Sequence, residues 1–292
     1  HVGGRLVLAR GTGLLRSFHA RGHAMAAITT YTLESTAAIC QSAERAGVPV
    51  ILQAGSSSFA AVGRELLADS ALSAARRARV PVGVHLDHCV DPDEARACIR
   101  LGYTSVMVDG SHLPYEENVQ LSRSIVDEAH SVGVWVEAEL GSIAGDEDVS
   151  VQAVAEAYTD PAQAGEFAER TGVDALAVAV GNVHGMVAGP PVRLDIGRLR
   201  AIAAATPQPL VLHGASGVDE GDLLEAVRAG VAKVNLNAEM RRAYMTSLRT
   251  ALAAGGDDVR HLQQEAVSTM SRVAYQKIML LSGHWTGPGA EA

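Results

Sequence analysis

Short, almost wholly apolar runs recur along the chain, each followed by a stretch with helical spacing. The runs fall at residues 24–28, 48–53, 81–87, 105–109, 134–139, 175–180, 209–213 and 231–235. Asp91-Pro92 opens one intervening helix with proline in its first turn, and Gly102 closes it; Asp160-Pro161 and Gly172 repeat the device. Gly47-Val48-Pro49 and Ala229-Gly230-Val231 read as helix-to-strand turns. Strands alternating with helices predict a parallel sheet with helical crossovers, and eight strands close a barrel. The expected fold is α/β, a (β/α)8 TIM barrel. Residues 1–292 form one barrel domain, with a C-terminal helical extension from about residue 257 that is available to pack against a partner subunit.

The runs change character at their ends. The third closes on His85-Leu86-Asp87-His88, the fourth on Asp109-Gly110-Ser111, and the fifth carries Glu137 and Glu139. The sixth leads into Asn182-Val183-His184-Gly185, the seventh into His213-Gly214-Ala215-Ser216-Gly217, and the eighth contains Lys233, Asn235 and Asn237. In the third run Val82, Val84 and Leu86 share one parity, and Gly83, His85 and Asp87 the other. Period two therefore turns the polar set into the barrel and the apolar set under the helices. Strands becoming loops would explain Ser, Gly and Asn at these ends, but not three histidines and several carboxylates. The C-terminal strand ends are where such a barrel carries its active site.

Composition narrows the picture. Aromatic residues are 4% of the chain, so the core is expected to be Ala, Val, Leu and Ile. A formal net charge of −9 argues against nucleic acid as the partner. It leaves an anionic substrate open, because a cation or backbone amides can hold phosphate. Three cysteines without framework spacing suggest a reducing, cytoplasmic setting. No apolar run is long enough for a membrane span. Arg5, Arg10, Arg16 and Arg21, with no acid before Glu34, also admit a transit-peptide reading.

His88, His184 and His213 come from three strand ends, and three imidazoles with an open position suit catalytic Zn²⁺. Cys89 adjoins His88 and is the alternative ligand; His85, deeper and inward, is either a partner of the ligands or a core histidine. These segments, together with Glu137-Ala138-Glu139-Leu140-Gly141 and Tyr158-Thr159-Asp160-Pro161, resemble the class II fructose-bisphosphate and tagatose-bisphosphate aldolases from about residue 34 to 252. The resemblance implies zinc on His88, His184 and His213, and Asp87 as general acid/base at the hydroxyl of the cleaved bond. It implies that Asp109 and Glu139 line a second cation site, divalent or monovalent, or help hold the first. It implies that Glu147, in the acidic loop Asp146-Glu147-Asp148, takes the donor-carbon proton; the same loop also reads as a solvated tip. Phosphate falls to Gly185, Gly214, Ser216, Asn235 and Asn237, with Gln53 on the substrate side. The substrate implied is a phosphorylated ketose, split to a triose-phosphate-like donor through a metal-stabilised enediolate, in a homodimer or homotetramer.

The chain also departs from that pattern. Ile28-Thr29-Thr30-Tyr31 replaces a Phe-Asn-Val stretch, Met186-Val187-Ala188 carries no basic group, Ala238 stands where a hydroxyl is common, and Gln53 leads into the hydroxyl-rich Ser56-Ser57-Ser58. The metal chemistry is kept and the pocket is changed. Three rival readings remain: a metal-dependent hydrolase on the same barrel, although the first strand lacks a His-x-His pair; a Schiff-base aldolase on Lys233; and a non-catalytic barrel that binds a sugar phosphate.

Overall fold

The computed structural model describes residues 8–143, 158–185, 192–255 and 257–283. Eight parallel strands close into a barrel in sequence order. They are β1 (Met25–Thr29), β2 (Val50–Gly55), β3 (Val82–Cys89), β4 (Ser105–Val108), β5 (Trp135–Leu140), β6 (Ala175–Val178), β7 (Leu210–Leu212) and β8 (Val231–Leu236). Every apolar run of the sequence became a strand, displaced by no more than a residue or two at its ends. Strand pairing places Thr29, Gln53, His85, Ser105 and Trp135 in one row around the wall. Inward parity thus passes from strand to strand as alternation requires.

The helices begin and end where their caps dictate. In α2 (Leu33–Ala46) Thr32 and Ser35 form a reciprocal capping box, and Gly47 closes the helix at φ 65°. Asp91 and Asp160 cap α5 (Pro92–Leu101) and α7 (Pro161–Thr171), which end on Gly102 and Gly172 in the left-handed region. The others between strands are α3 (Ser56–Val62), α4 (Arg64–Arg77), α6 (Tyr115–Ser131), α8 (Ile196–Ala205) and α9 (Glu220–Arg228). No helix among the described residues is long and apolar enough to cross a membrane.

Two features lie outside the repeating unit. α1 (Gly13–Ala20) buries Leu15 and Phe18, and with Met25, Ile51 and Trp135 its Leu14 and Leu15 enclose a small void under the barrel floor. The basic stretch that admitted a targeting reading is therefore, from residue 8 onward, part of the fold. After β8 the chain forms α10 (Ala238–Ala253) and α11 (Val259–Ser282). α11 packs on β1, α2, α9 and α10, so it fills the gap in the helical ring between the last strand and the first. Its stripe Ala266, Met270, Ala274, Ile278 and Leu281 is buried, and α2 and α11 are joined where Ser42 Oγ donates to the Ser271 carbonyl at 3.0 Å.

Candidate active site

At the top of β3 two adjacent side chains reach the barrel mouth, which a regular strand forbids. The backbone resolves this at His88, the single non-glycine residue with positive φ (44°) among the described residues. The β3–β4 register shifts between Leu86 and Cys89 at the same point. Both Asp87 and His88 therefore line one cavity of about 280 Å³. Cys89 does not join them: its Sγ donates to the Asp91 carbonyl at 3.0 Å, and burial pushes its thiol up to about 12. The thiolate-ligand alternative is thereby corrected.

His88, His184, His213 and Glu139 bring one donor atom each to within 4.8 Å of one another. Their rings meet edge to face, with centroids 4.5 Å apart for His88 and His213 and 4.7 Å for His88 and His184. Carboxylates orient two of the imidazoles. His88 Nδ1 donates to Asp109 Oδ2 at 3.1 Å, and His213 Nε2 donates to Glu137 Oε1 at 2.7 Å. Each ring directs one nitrogen at an anion, so that His88 Nε2 and His213 Nδ1 face each other at 2.8 Å, close enough to share a proton or, in its place, a cation. Glu139 adds a second sign of the same kind: its Oε2 is buried with no hydrogen-bond partner among the described residues.

The charges respond accordingly. Burial alone would depress the His88 imidazole, but the Asp87 charge, the Asp109 hydrogen bond and Glu139 hold it well above the ordinary histidine range. Burial, reinforced by the nearby Asp109 charge, pushes Glu139 up to about 8. Asp109 stays well below the usual carboxylate range despite its burial, because His88 and Ser111 donate to it. Asp109, expected among the metal-side groups, lines the cavity beside them. One oxygen holds His88 and the other accepts from Ser111 N and Oγ at 3.0 and 2.7 Å, so its contact with the cluster runs through His88. The donor set that remains, three imidazoles and a carboxylate from four strand ends, fits a divalent ion of the zinc type.

Asp87 is held from both sides. Gln53 Nε2 donates to its Oδ2 at 2.9 Å and Asn235 Nδ2 to its Oδ1 at 3.0 Å. Gln53 and Asn235, expected at the substrate and its phosphate, are buried here with these amide contacts to Asp87. Below them lies Lys233, fully buried, with Glu137 Oε2 and Asn235 Oδ1 both at 2.8 Å and His85 Nε2 at 3.5 Å. Lys233 is held by these neighbours beneath the site and does not line the cavity, which disfavours a Schiff base there. His85 is the core histidine of the two readings: burial and the Lys233 charge hold it well below its ordinary range, and its Nδ1 bonds Ser105 Oγ at 2.8 Å.

Of the remaining expected groups, Asn237 lines the cavity and accepts from Tyr31 Oη at 2.7 Å. Gly185, Gly214 and Ser216 lie on the adjoining β6 and β7 loops. Gly214, at φ 59°, packs so tightly that a Cβ would stand 2.4 Å from the Val183 carbonyl oxygen. Glu147 and the segment Met186-Val187-Ala188 lie outside the described residues. The sequence reading missed the roles of Glu137 and Lys233; the inward parity they share with Glu139 and Asn235 was the available signal. Thr29, Ser56, Ser57 and Ser58, among the departures expected to change the pocket, line the cavity. None of the described side chains lining that cavity is a Lys or Arg, and residues 144–157 and 186–191 contain neither.

Residues 10–284 match the family model "Fructose-bisphosphate aldolase class-II". Among solved structures, the chain is similar to the YdjI aldolase from Escherichia coli K12, at 32% identity over 96% of this chain and 99% of that one, with a TM-score of 0.84. It is similar to a Coccidioides immitis protein provisionally named a fructose-1,6-biphosphate aldolase, at 34% identity over 94% and 97% of the two chains, with a TM-score of 0.87. Fructose-bisphosphate aldolase from Campylobacter jejuni, at 24% identity over 92% and 93% and a TM-score of 0.74, shares the fold. The family match runs through every strand of the barrel, and on it the chain belongs to the class II fructose-bisphosphate aldolases.

Proposed function

We propose that this aldolase is zinc-dependent, that His88, His184 and His213 hold the ion with Glu139 beside it, and that Asp87 moves the proton at the breaking carbon–carbon bond. The observation that supports the reading is the facing pair of imidazole nitrogens at 2.8 Å, each ring fixed by a carboxylate on its far side, with His184 and Glu139 converging on the same point. A bound Zn²⁺ supplies Lewis-acid stabilisation of the negative charge that develops on the ketone oxygen. The chain's own residues do the rest. Gln53 and Asn235 present Asp87 as a hydrogen-bond acceptor at the cavity wall, placed to take the hydroxyl proton during cleavage and return it during condensation. Glu147 is the proposed base at the donor carbon.

Membership of the family makes the chain a carbon–carbon lyase and sets aside the hydrolase and the non-catalytic sugar-phosphate barrel. The substrate we propose is a phosphorylated ketose yielding a triose-phosphate-like donor. Its phosphate docks at the backbone amides of Gly185, Gly214 and Ser216, with Asn237 closing that side. With a cavity lined by hydroxyl, amide and acidic groups, a second phosphate has little to meet. We therefore expect a higher kcat/KM on a ketose monophosphate than on fructose 1,6-bisphosphate or tagatose 1,6-bisphosphate. One lost hydrogen bond to a charged group, ~1.5–3 kcal/mol, corresponds to roughly 10- to 150-fold.

The test is metal removal and return. Chelation should abolish cleavage, and Zn²⁺ or Co²⁺ should restore it at one ion per chain, with no covalent trapping by borohydride. Full activity in the chelated enzyme would overturn the reading.

A further inference from the structure

We infer that Lys233 is a positioning residue that holds the metal-ligating face of the site and its proton-transferring carboxylate in one fixed relation. The inference rests on the zinc-aldolase reading above and goes beyond it, because Lys233 and Glu137 touch neither the proposed ion nor substrate.

Two branches leave the Lys233 ammonium. One runs through Glu137, whose Oε2 accepts from Lys233 at 2.8 Å and whose Oε1 accepts from His213 Nε2 at 2.7 Å. This branch fixes the His213 tautomer and turns Nδ1, which Asn235 Nδ2 also meets at 3.2 Å, toward His88. The other runs through Asn235, whose Oδ1 accepts from Lys233 at 2.8 Å and whose Nδ2 donates to Asp87 at 3.0 Å. With its oxygen claimed by Lys233, the Asn235 amide can present only its N–H to Asp87, so the cation decides which way that amide faces.

The ion pair has 0% side-chain exposure at both partners. Charges taken fully out of water cost several kcal/mol each, and an apolar pair of similar volume is often as stable. A core filled for stability alone therefore has no need of Lys233 and Glu137. Their geometry instead makes one group the common anchor for β3, β5, β7 and β8 beneath the site. Partners of this sort behind a metal ligand typically change metal affinity about 10- to 100-fold when removed.

The experiment uses Lys233→Met/Glu137→Gln, which removes both charges together and leaves no buried unpaired ion. Metal affinity is read by chelator competition with Co²⁺, and kcat and KM are read at saturating metal. We expect affinity to fall about 10- to 100-fold. We expect kcat at saturating metal to fall about 10- to 100-fold as well, with a smaller change in KM, as Asp87 loses its fixed placement. A merely structural pair would shift the melting temperature and leave both readouts at wild-type values, which would overturn the inference. Nitrogen-15 spectra of the metal-free wild-type protein give a test that needs no variant to fold. His213 should be the Nε2–H tautomer, and an Nδ1–H tautomer overturns the Glu137 branch. A wild-type protein that binds no divalent ion overturns the zinc reading itself, an outcome distinct from a double variant that binds metal as well as the wild type.

Discussion

A side chain held in the left-handed region costs roughly 1–2 kcal/mol, and β3 accepts that cost at His88, where φ is 44°. The return is that Asp87 and His88 enter the same cavity. In metal-free protein, His88→Gly should therefore be more stable than His88→Ala by about 1 kcal/mol, reversing the usual order of the two residues within a strand. Urea unfolding of both variants measures it, and an alanine variant as stable as the glycine one would show that the backbone there is not strained. For Asp87, replacement by alanine should leave one metal per chain and reduce kcat by about 10²–10⁴-fold. Metal content and single-turnover cleavage on the same preparation decide, and parallel loss of both would make Asp87 a support for the ligands. The residue types of this site were legible in the sequence because histidines and carboxylates seldom gather at strand ends without cause. Their division of labour was not. Asp109, Gln53 and Asn235 all stand where the sequence placed them, but what each one touches depends on neighbours from other strands that one-dimensional spacing does not encode. The joint entry of Asp87 and His88 was hidden for another reason, since strict alternation assigns them to opposite faces.

At the level of single elements, local chemistry was the better guide. Strand runs and the Asp-Pro and Gly boundaries of α5 and α7 could be read directly, because caps and left-handed glycines act within a few residues of themselves. α3 could not: Ser-Ser-Ser is a poor helix former, and that helix rests on burial of Phe59 and on the hydrogen bond between Ser56 and Glu94. Nor could the contact between α7 and α8. Gly165 lies inside α7, where alanine would ordinarily stabilise by ~0.8–1 kcal/mol. Here a Cβ would stand 2.6 Å from the Ala205 carbonyl oxygen at the end of α8. The clash falls on backbone rather than on a movable side chain, so Gly165→Ala should destabilise by a net ~1–3 kcal/mol. A rise in the denaturation midpoint on that substitution would show that the two helices can part freely.

On the scale of the whole molecule, the ring is closed by a helix drawn from the far end of the chain. α11 covers β1 and lies along α2, with the Ala24 amide bonded to the Leu281 carbonyl at 3.0 Å and Gln263 to Glu34 at 2.7 Å. Deleting residues 257–292 should therefore remove more than an appendage. The apolar sides of β1 and α2 would lose their cover, and we expect the shortened chain to bind hydrophobic dye, to unfold without cooperativity and to lose metal binding. A sharp unfolding transition with metal affinity intact would show that the ring stands without α11. The same arrangement has a consequence in time. During synthesis β1 leaves the ribosome early, while its cover follows about 230 residues later, a wait of roughly 10–50 s at ~5–20 residues per second. For most of that interval the first strand of the barrel has neither its α11 cover nor its β8 neighbour, so the nascent chain carries an unpaired edge open to other chains.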